Sequence, residues 1–402
     1  MLVAVIAFAL APSPDWTVLF ADGSLNGWTR KGGTAEYRIE NGEVVGTTVP
    51  NSPNTFLCSD RDYGDFELEF EVKVHPELNS GVQIRSHSVS GYQKGVVFGY
   101  QVEIDPTTRA YSGGLYDEAR RGWLDDLSDN PAGQKAFKGG EWNKYRVLAV
   151  GDHIQVWVNG VQTSDVRDDM DRFGFIGLQV HGVGDRADKM EVRWRNLRIR
   201  DLGVPGAKPP AGARMLLGGP ADLENWRKSG SADPIGWQWK DGYMEIVPRT
   251  GSIASRRYFG ACTLHVEFAV DENGLTGQAN GNSGVYLQGR YEVQILNSAG
   301  QAPADNIAGG IYRVKAPDIN MAYSPYEWQT YDIDFVPPKW EAGKKVANAR
   351  LTVWHNGVLI HRNVEVPGNT GSGEPETQEP DGIYLQDHGN LIKFRNIWVL
   401  PR

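Results

Sequence analysis

The chain has 402 residues, which is enough for two or three domains that each bury a core of their own. Its formal net charge of −9 argues against nucleic acid or an anionic membrane as the main partner, because both repel an acidic protein. Two cysteines, Cys58 and Cys262, are too few for a disulfide framework and are expected to be small buried hydrophobes. The 48 glycines and 13 tryptophans, spread among alternating apolar segments, favour strands joined by turns.

The chain begins with an apolar segment, residues 1–11, that is followed by Pro-Ser-Pro. This pattern is typical of the apolar region and exit of a secretory signal peptide. Residues 1–15 are therefore predicted to be a signal peptide, and the protein to be exported to the periplasm or the exterior. The segment is too short to cross a bilayer, and no other segment is long and apolar enough, so no transmembrane span is expected.

Strand signals follow in both halves of the chain. Residues 66–72 alternate strictly between apolar and polar, the pattern of a half-buried antiparallel strand. Residues 154–158 alternate likewise and end in Asn159-Gly160, a strong hairpin signal that Asn356-Gly357 repeats. Many short strands with regular turns predict a sandwich or jelly roll in which helix is minor.

The most informative feature is an internal repeat: eight short blocks recur in the same order about 200 residues later. The pairs are 25–28 with 223–226, 79–85 with 282–288, 100–104 with 291–295, 113–116 with 309–312, 141–143 with 327–329, 156–160 with 353–357, 177–182 with 384–389, and 194–197 with 394–397. A period this long predicts two complete tandem domains, a first copy over 16–202 and a second copy over 213–402. Residues 203–212, rich in Pro and Gly, are predicted to be an extended linker. Trp142 and Trp328, at matching positions, are interpreted as core residues.

Polar side chains of the repeated strands should share one face of a sheet, because alternate residues of a strand point the same way. In the first copy the predicted set is Gln83, Arg85, Gln101, Glu103, Asp105, Gln179 and His181. In the second copy it is Tyr286, Gln288, Glu292, Gln294, Gln386 and His388. The matching Tyr116 and Tyr312, and Asp387 beside His388, complete the candidate ligand-binding residues.

A concave face with carboxylate, amide and imidazole groups beside aromatic rings is chemically suited to sugars. Simpler interpretations stay open at this point. Glu103 and Arg85 could form an ordinary surface ion pair. His181 could be a structural histidine, although its recurrence as His388 favours a role in function.

Taken together, the blocks resemble the 3-keto-disaccharide hydrolase family, also described as 3-keto-glucoside 1,2-lyases and 3-keto-2-hydroxyglucal hydratases. The resemblance rests on 282–285, 291–294, 309–312, 327–329, 385–389 and 394–397 and their partners, and it spans nearly all of both copies. It implies an all-β protein with two tandem concanavalin-A-like jelly-roll sandwiches, acting on oxidised carbohydrate. The second copy keeps the family pattern better, because in the first copy Gln101 and Glu103 exchange amide and carboxylate and Val180 replaces Asp.

The implied chemistry needs a base, an electrophile and ring-orienting hydrogen bonds, since a ketone at C3 acidifies the hydrogen at C2. His181 and His388, or Glu103 and Glu292, are the candidate bases. Arg85 or a divalent metal ion could stabilise the enolate oxygen, but no residue spacing is diagnostic of a metal, and no cofactor is assigned.

Two other functions fit the fold. One is a jelly-roll glycoside hydrolase with paired carboxylates, for which Glu103 and Asp105 lie on one face, although the second copy has Leu296 in place of Asp105. The other is a non-catalytic, lectin-like module, for which tandem duplication would give avidity. Aglycone release from a 3-keto-glycoside, but not from its parent glycoside, would distinguish 3-keto-glycoside cleavage from these two alternatives.

Overall fold

The structure is a computed structural model that describes residues 15–402. The predicted signal peptide, residues 1–15, lies outside the described residues except for Asp15. Within the described part of the chain, none of the helices has the length and apolar character needed to cross a membrane.

The first copy contains, among the residues described, fifteen strands and one short helix. The strands are β1 (Thr17–Val18), β2 (Trp28–Gly32), β3 (Glu36–Glu40), β4 (Glu43–Thr47), β5 (Thr55–Ser59), β6 (Asp65–Val74), β7 (Ser80–His87), β8 (Phe98–Ile104), β9 (Leu115–Glu118), β10 (Gly122–Asp125), β11 (Asn143–Val150), β12 (His153–Val158), β13 (Val161–Arg167), β14 (Phe175–Val180) and β15 (Glu191–Gly203), and the helix is α1 (Pro131–Gln134). They form two antiparallel sheets, one ordered β13-β12-β11-β6-β15-β4-β3 with β1 on β15, the other β10-β9-β8-β7-β14-β5-β2.

The second copy repeats this arrangement with fifteen strands, β16 to β30, in the described chain. They are β16 (Arg214–Leu217), β17 (Trp226–Lys228), β18 (Gln238–Lys240), β19 (Tyr243–Glu245), β20 (Ile253–Phe259), β21 (Cys262–Val270), β22 (Ser283–Leu287), β23 (Tyr291–Ile295), β24 (Gln329–Val336), β25 (Lys339–Glu341), β26 (Lys344–Ala347), β27 (Ala349–His355), β28 (Val358–Val366), β29 (Asp381–Leu385) and β30 (Ile392–Pro401), with 3₁₀ turns at Pro220–Asn225 and Gly277–Ala279. The large sheet runs β18-β19-β30-β21-β24-β27-β28 with β16 on β30, and the small sheet runs β17-β20-β29-β22-β23. Strands β25 and β26 form a separate ribbon. The predicted all-β fold, two tandem sandwiches, is confirmed.

Each sandwich buries a core between its two sheets. Alternation along each strand determines which side chains point into that core. In the first copy Val82, Ile84 and Val102 point inward and are fully buried. Cys58 and Cys262 are buried free thiols, as expected.

The interpretation of Trp142 and Trp328 as core residues is wrong. Both are half-buried. The guanidinium of Arg195 lies 4.0 Å from the Trp142 ring, and that of Arg395 lies 3.9 Å from the Trp328 ring. Cation–π stacking against an arginine therefore holds each tryptophan at its strand.

The two copies make direct backbone contact. Arg172 N donates to Gly357 O at 2.8 Å, and Leu359 N donates to Met170 O at 2.8 Å, which extends β28 with a segment of the first copy. The Arg172 guanidinium stacks 3.4 Å from the Trp354 ring. The predicted linker is also docked, because Gly206 O accepts a hydrogen bond from Trp398 Nε1 at 3.2 Å.

Strands β9 and β10 form a hairpin that extends the small sheet of the first copy only. Between them, Arg120 pairs with the buried carboxylates of Asp117 and Asp171, and Arg121 pairs with Asp117 and Asp168. Asp168 precedes the segment that contacts the second copy, and Asp171 lies within it. The hairpin therefore braces the junction between the copies.

Candidate functional site

Each copy places one carboxylate and one amide side by side on the face of its small sheet that points away from the core. In the first copy Glu103 lies opposite Gly81 and Gln101 opposite Gln83, across β7 and β8. In the second copy Gln294 lies opposite Gly284 and Glu292 opposite Tyr286, across β22 and β23. The pairing shows that Glu103 occupies the position of Gln294, and Gln101 that of Glu292. The carboxylate has thus exchanged places with the amide between the copies.

In the first copy a chain of hydrogen bonds ends at Glu103. Ser86 Oγ donates to Gln83 Oε1 at 2.7 Å, Gln83 Nε2 to Gln101 Oε1 at 2.7 Å, and Gln101 Nε2 to Glu103 Oε2 at 3.0 Å. Asn79 Nδ2 donates to the other oxygen, Oε1, at 2.6 Å. Burial raises the pKa of Glu103 to about 7, although the two amide donors act in the opposite direction.

In the second copy Glu292 lines a cavity of about 290 Å³. The other candidate residues around it are Tyr286, Gln294, Tyr312, Gln386 and His388. Burial raises the pKa of Glu292 to about 7, and a hydrogen bond from Tyr286 acts against this rise. The pKa of the Tyr286 phenol is itself raised, first by burial and then by the neighbouring Glu292, so it stays a neutral hydrogen-bond donor. Gln386 Nε2 donates to the Tyr286 hydroxyl at 3.1 Å.

A loop between β28 and β29 passes over the Glu292 carboxyl. Thr370 Oγ1 accepts a hydrogen bond from Glu292 N at 2.7 Å. Gly371 has a φ of +55°, and a Cβ at this position would fall inside van der Waals contact of Glu292 Oε2. Glycine is required here for both reasons, its backbone conformation and the close approach of the carboxyl.

The predicted place of Arg85 on the site face is wrong. Arg85 has a φ of +46°, in a β-bulge between Ile84 and His87 that ends the strand alternation. Its fully buried guanidinium donates to Gly64 O and Gly151 O at 2.7 Å each and pairs with Asp65 at 3.0 Å. Arg85 therefore closes one end of the sandwich, and its ion pair is with Asp65 rather than with Glu103.

Gln288 departs from the predicted face for the same reason. It follows the end of β22 with a φ of +53°. Its Nε2 donates to Phe259 O at 2.8 Å, and its Oε1 accepts from Arg290 at 3.0 Å. It holds backbone and an arginine in place and does not line the Glu292 cavity.

Asp105 and Asp387 shape loops beside the two sites. Asp105 accepts from Arg109 Nε at 2.9 Å and from Thr107 N at 3.0 Å. Asp387 accepts from Gly251 N at 2.9 Å. Both carboxylates are engaged by the protein, so they position the chain around the sites.

The predicted open concave face of the first copy is in fact covered. Gln83, Gln101 and Glu103 are at most 3% exposed. Gln179 is 1% exposed, and neither of its amide atoms has a hydrogen-bond partner.

The remaining candidates lie toward the edges of the sites. Tyr116 is half-buried and meets the Trp123 ring edge-on at 5.0 Å. His181 is half-buried, with Nδ1 2.8 Å from Gly182 O, whereas His388 is exposed at the cavity rim.

Sequence reasoning missed Asn79, Asn282 and Gly371. Asn282 Oδ1 accepts from Gln294 Nε2 at 3.0 Å, whereas at the matching position in the first copy Asn79 Nδ2 donates to Glu103. Both asparagines are the first residues of matching repeated blocks, and this recurrence could have identified them as site residues. Nothing local marks Gly371, which approaches Glu292 only through tertiary structure.

A metal ion has no evident place in either site. Within residues 15–402, no three His, Cys, Asp or Glu side chains are grouped so that they could hold one. The residues present therefore do not fit the divalent metal ion that was considered as an alternative to Arg85.

Several solved structures are similar to parts of this chain. A candidate glycosyl hydrolase from Parabacteroides distasonis is 31% identical over 48% of this chain and 85% of its own, with a TM-score of 0.44. A second one from that organism is 20% identical over 47% and 94%, with a TM-score of 0.33. The carbohydrate-binding module CBM66 from Bacillus subtilis is 15% identical over 44% and 96%, with a TM-score of 0.30.

No curated protein is similar enough to the chain to count as a match. The model of the 3-keto-alpha-glucoside-1,2-lyase-like domain, however, matches residues 15–200 and again residues 212–400. The chain is therefore a carbohydrate-active protein that belongs to the 3-keto-alpha-glucoside-1,2-lyase-like family and carries its domain twice.

Proposed function

We propose that the protein cleaves 3-keto-glycosides and that the second copy carries the reaction. The observation that supports this most directly is Glu292, a buried carboxyl with a pKa of about 7 in a cavity of about 290 Å³. A base whose pKa lies near the working pH is well suited to removing a weakly acidic C–H proton. Membership of the 3-keto-alpha-glucoside-1,2-lyase-like family supports the choice of 3-keto-glycosides as substrates.

The reaction proceeds by elimination and then hydration. The base removes the proton at C2, the electron pair moves toward the C3 ketone as an enolate, and the enolate expels the aglycone oxygen from C1. This step breaks the C2–H and C1–O bonds and forms a C1=C2 double bond. Water then adds across that bond, with its oxygen at C1 and a proton returned to C2, so that a free 3-keto sugar remains.

Each role falls to a residue of the cavity. Glu292 is the proton acceptor at C2, and after exchange with solvent it delivers a solvent-derived proton to C2 during hydration. Tyr286 is kept neutral by its raised pKa, and its hydroxyl proton can turn from Glu292 to the enolate oxygen once Glu292 has taken the C2 proton. Gln294, Gln386 and Tyr312 offer hydrogen bonds to ring hydroxyls. His388 at the rim is placed to give a proton to the departing aglycone.

A paired-carboxylate hydrolase has less support. Among the described residues lining the cavity, Glu292 is the single carboxylate. In the first copy Asp105 is committed to Arg109 and Thr107. An inverting or retaining mechanism requires two free carboxyl groups across the bond that breaks.

The first copy is less suited to turnover than the second. Two amides hold Glu103, and the protein itself covers the sheet face around this carboxyl, whereas Glu292 lines a cavity. We infer that the first copy contributes less to turnover than the second.

The test is hydrolysis of a 3-keto-glycoside in D₂O, with the parent glycoside as the substrate control. Elimination and hydration place deuterium at C2 of the released 3-keto sugar, which NMR detects. His388→Ala should lower turnover by about 10²-fold, the typical effect of losing an acid or base, and His181→Ala by less. Product without deuterium at C2 would favour direct displacement at C1, and release from the parent glycoside would contradict the substrate class.

A further inference from the structure

A cleft of about 380 Å³ lies between the two copies. Its first-copy wall includes Lys31, Asp60, Asp62 and His87, and its second-copy wall includes Tyr323 and Glu327. Of the residues that the structure describes, none lines both this cleft and the Glu292 cavity. The cleft exists only because the copies are joined, and a volume of this size is typical of small-ligand sites.

The walls of the cleft are held in place by packing across the junction. The loop between β7 and β8 leaves the first copy at the cleft, and its Val89 packs into the core of the second copy together with Phe98 of β8. Gly91 of this loop lies so close to Asn320 O that a Cβ would meet it at 2.6 Å. A site built on such packed elements is preorganised for a ligand.

His87 carries the strongest sign of a missing partner. Its side chain is 3% exposed, and its Nε2 has no hydrogen-bond partner. Burial lowers its pKa to about 4, so the ring is neutral at pH 7, and its other nitrogen bonds to the backbone of Phe173. Nε2 is therefore an unpaired, buried acceptor on a residue that lines the cleft, a state that costs stability unless a donor reaches it.

The charged residues that line the cleft indicate which class of ligand could supply that donor. Asp60 already accepts from Thr29 Oγ1 at 2.6 Å, and Glu327 accepts from Ser324 N at 2.8 Å. Together with Asp62 they disfavour an anion, whereas the Lys31 ammonium in the same wall disfavours a cation. Acceptors outnumber donors, so a neutral ligand rich in hydroxyl groups fits best, with the Tyr323 ring as an aromatic surface.

We propose that the cleft between the copies binds a neutral saccharide unit, in addition to the carboxylate sites. The unit donates one hydroxyl to His87 Nε2 and another to Asp62, and it accepts a hydrogen bond from Lys31. This goes beyond the proposed function and does not depend on it, because it concerns binding at a place where no cleavage is assigned.

The test is isothermal titration calorimetry on the full chain carrying Glu103→Gln and Glu292→Gln, which leaves the cleft intact. The probes are a methyl glucoside and a neutral disaccharide, with glucosamine and glucuronate as the cationic and anionic comparisons. In this background Asp62→Asn and His87→Phe should each weaken neutral binding by about tenfold, the effect of one lost hydrogen bond. Asp129→Asn, an exposed carboxylate outside the cleft, is the matched control and should change nothing.

Three results would overturn the proposal. They are no binding of either neutral probe, neutral binding that Asp62→Asn leaves unchanged, and binding of glucosamine alone. Should His87→Phe fail to fold, Asp62→Asn still decides the question, because Asp62 is exposed at the cleft. Absence of 3-keto-glycoside cleavage by the unsubstituted chain would count against the proposed function only, because this titration measures no turnover.

Discussion

The first and second copies share a sandwich, a strand order and a polar sheet face, yet they place their one carboxylate on different residues of that face. Glu103 sits where the second copy has Gln294, and it is held by two amides. Glu292 sits beside Tyr286 in a cavity. The two carboxylates thus lie two residues apart along matching strands. At one position Glu103 is fixed among amides, and at the other Glu292 is placed to act on a ligand.

The surroundings of the two sites differ as much as the carboxylates do. In the first copy the extra hairpin β9–β10 supports the junction with the second copy through Arg120 and Arg121. In the second copy a loop with Gly371 encloses Glu292 instead. Duplication allowed one copy to build the contact between domains while the other kept an enclosed cavity.

The difference between the two copies is tested most directly by removing each carboxylate in turn. Glu292→Gln should lower kcat/KM for a 3-keto-glycoside by roughly 10²–10⁴-fold, because it removes the base but keeps the shape. Glu103→Gln is the matched control. In the same assay it should lower kcat/KM by less than tenfold, because the first copy is inferred to contribute less to turnover. Equal losses would show that both copies are catalytic.

Gly371 tests whether the loop over Glu292 matters. Gly371→Ala forces a Cβ against the carboxyl and strains a residue with φ of +55°. Gly343→Ala imposes similar strain at φ of +76° with no atom within 4 Å, in the separate ribbon β25–β26. Both should lose about 1 kcal/mol of stability, but only Gly371→Ala should lower kcat/KM, by about 10²-fold. Matching activities for the two variants would remove the loop from the site.

The pH profile distinguishes a buried base from an ordinary carboxylate. With the pKa of Glu292 at about 7, kcat/KM should rise with pH by about tenfold per unit below 7 and level off above it. Tyr286→Phe removes a hydrogen bond that lowers this pKa, so the midpoint should move upward. A midpoint near the ordinary glutamate value of 4.5 would contradict the assignment.

The smallest expected effect concerns stability on the outer faces of the large sheets. Where the first copy has Glu69 between Arg146 and Arg198, the second has His265 between Asp332 and Trp398. His265 Nδ1 lies 2.8 Å from Asp332 Oδ1, and the pKa of His265 rises to about 9, with the carboxylates of Asp332 and Glu267 overcoming the opposing effect of burial.

A raised histidine pKa stabilises the fold below the unfolded value of 6.5, and this stabilisation disappears as the pH rises through about 9. The free energy of unfolding of the second copy should fall by on the order of 1–3 kcal/mol across that window, measured with urea. His265→Gln should flatten the change. Glu69→Gln, the control, should leave it intact, because the lowered pKa of Glu69 keeps that carboxylate ionised throughout.

Much of the site could be predicted from strand alternation alone. In the structure Gln101 and Glu103, and Glu292 and Gln294, alternate along their strands with the core residues Val102 and Val293, as a regular strand requires. Alternation failed at Arg85 and Gln288, since both adopt positive φ where the strand pattern is interrupted, and their side chains turn toward backbone carbonyls.

The amino-acid sequence by itself determined that this protein is two tandem β-sandwiches of one family, because repeated blocks and period-two alternation are local properties that survive divergence. Only the tertiary structure decided which groups are buried and which meet. The pKa of Glu292 depends on its burial and on Tyr286, and the cleft at His87 depends on contacts between two copies that are far apart in the chain. Burial and long-range contact are properties of the folded chain, and no local pattern encodes them.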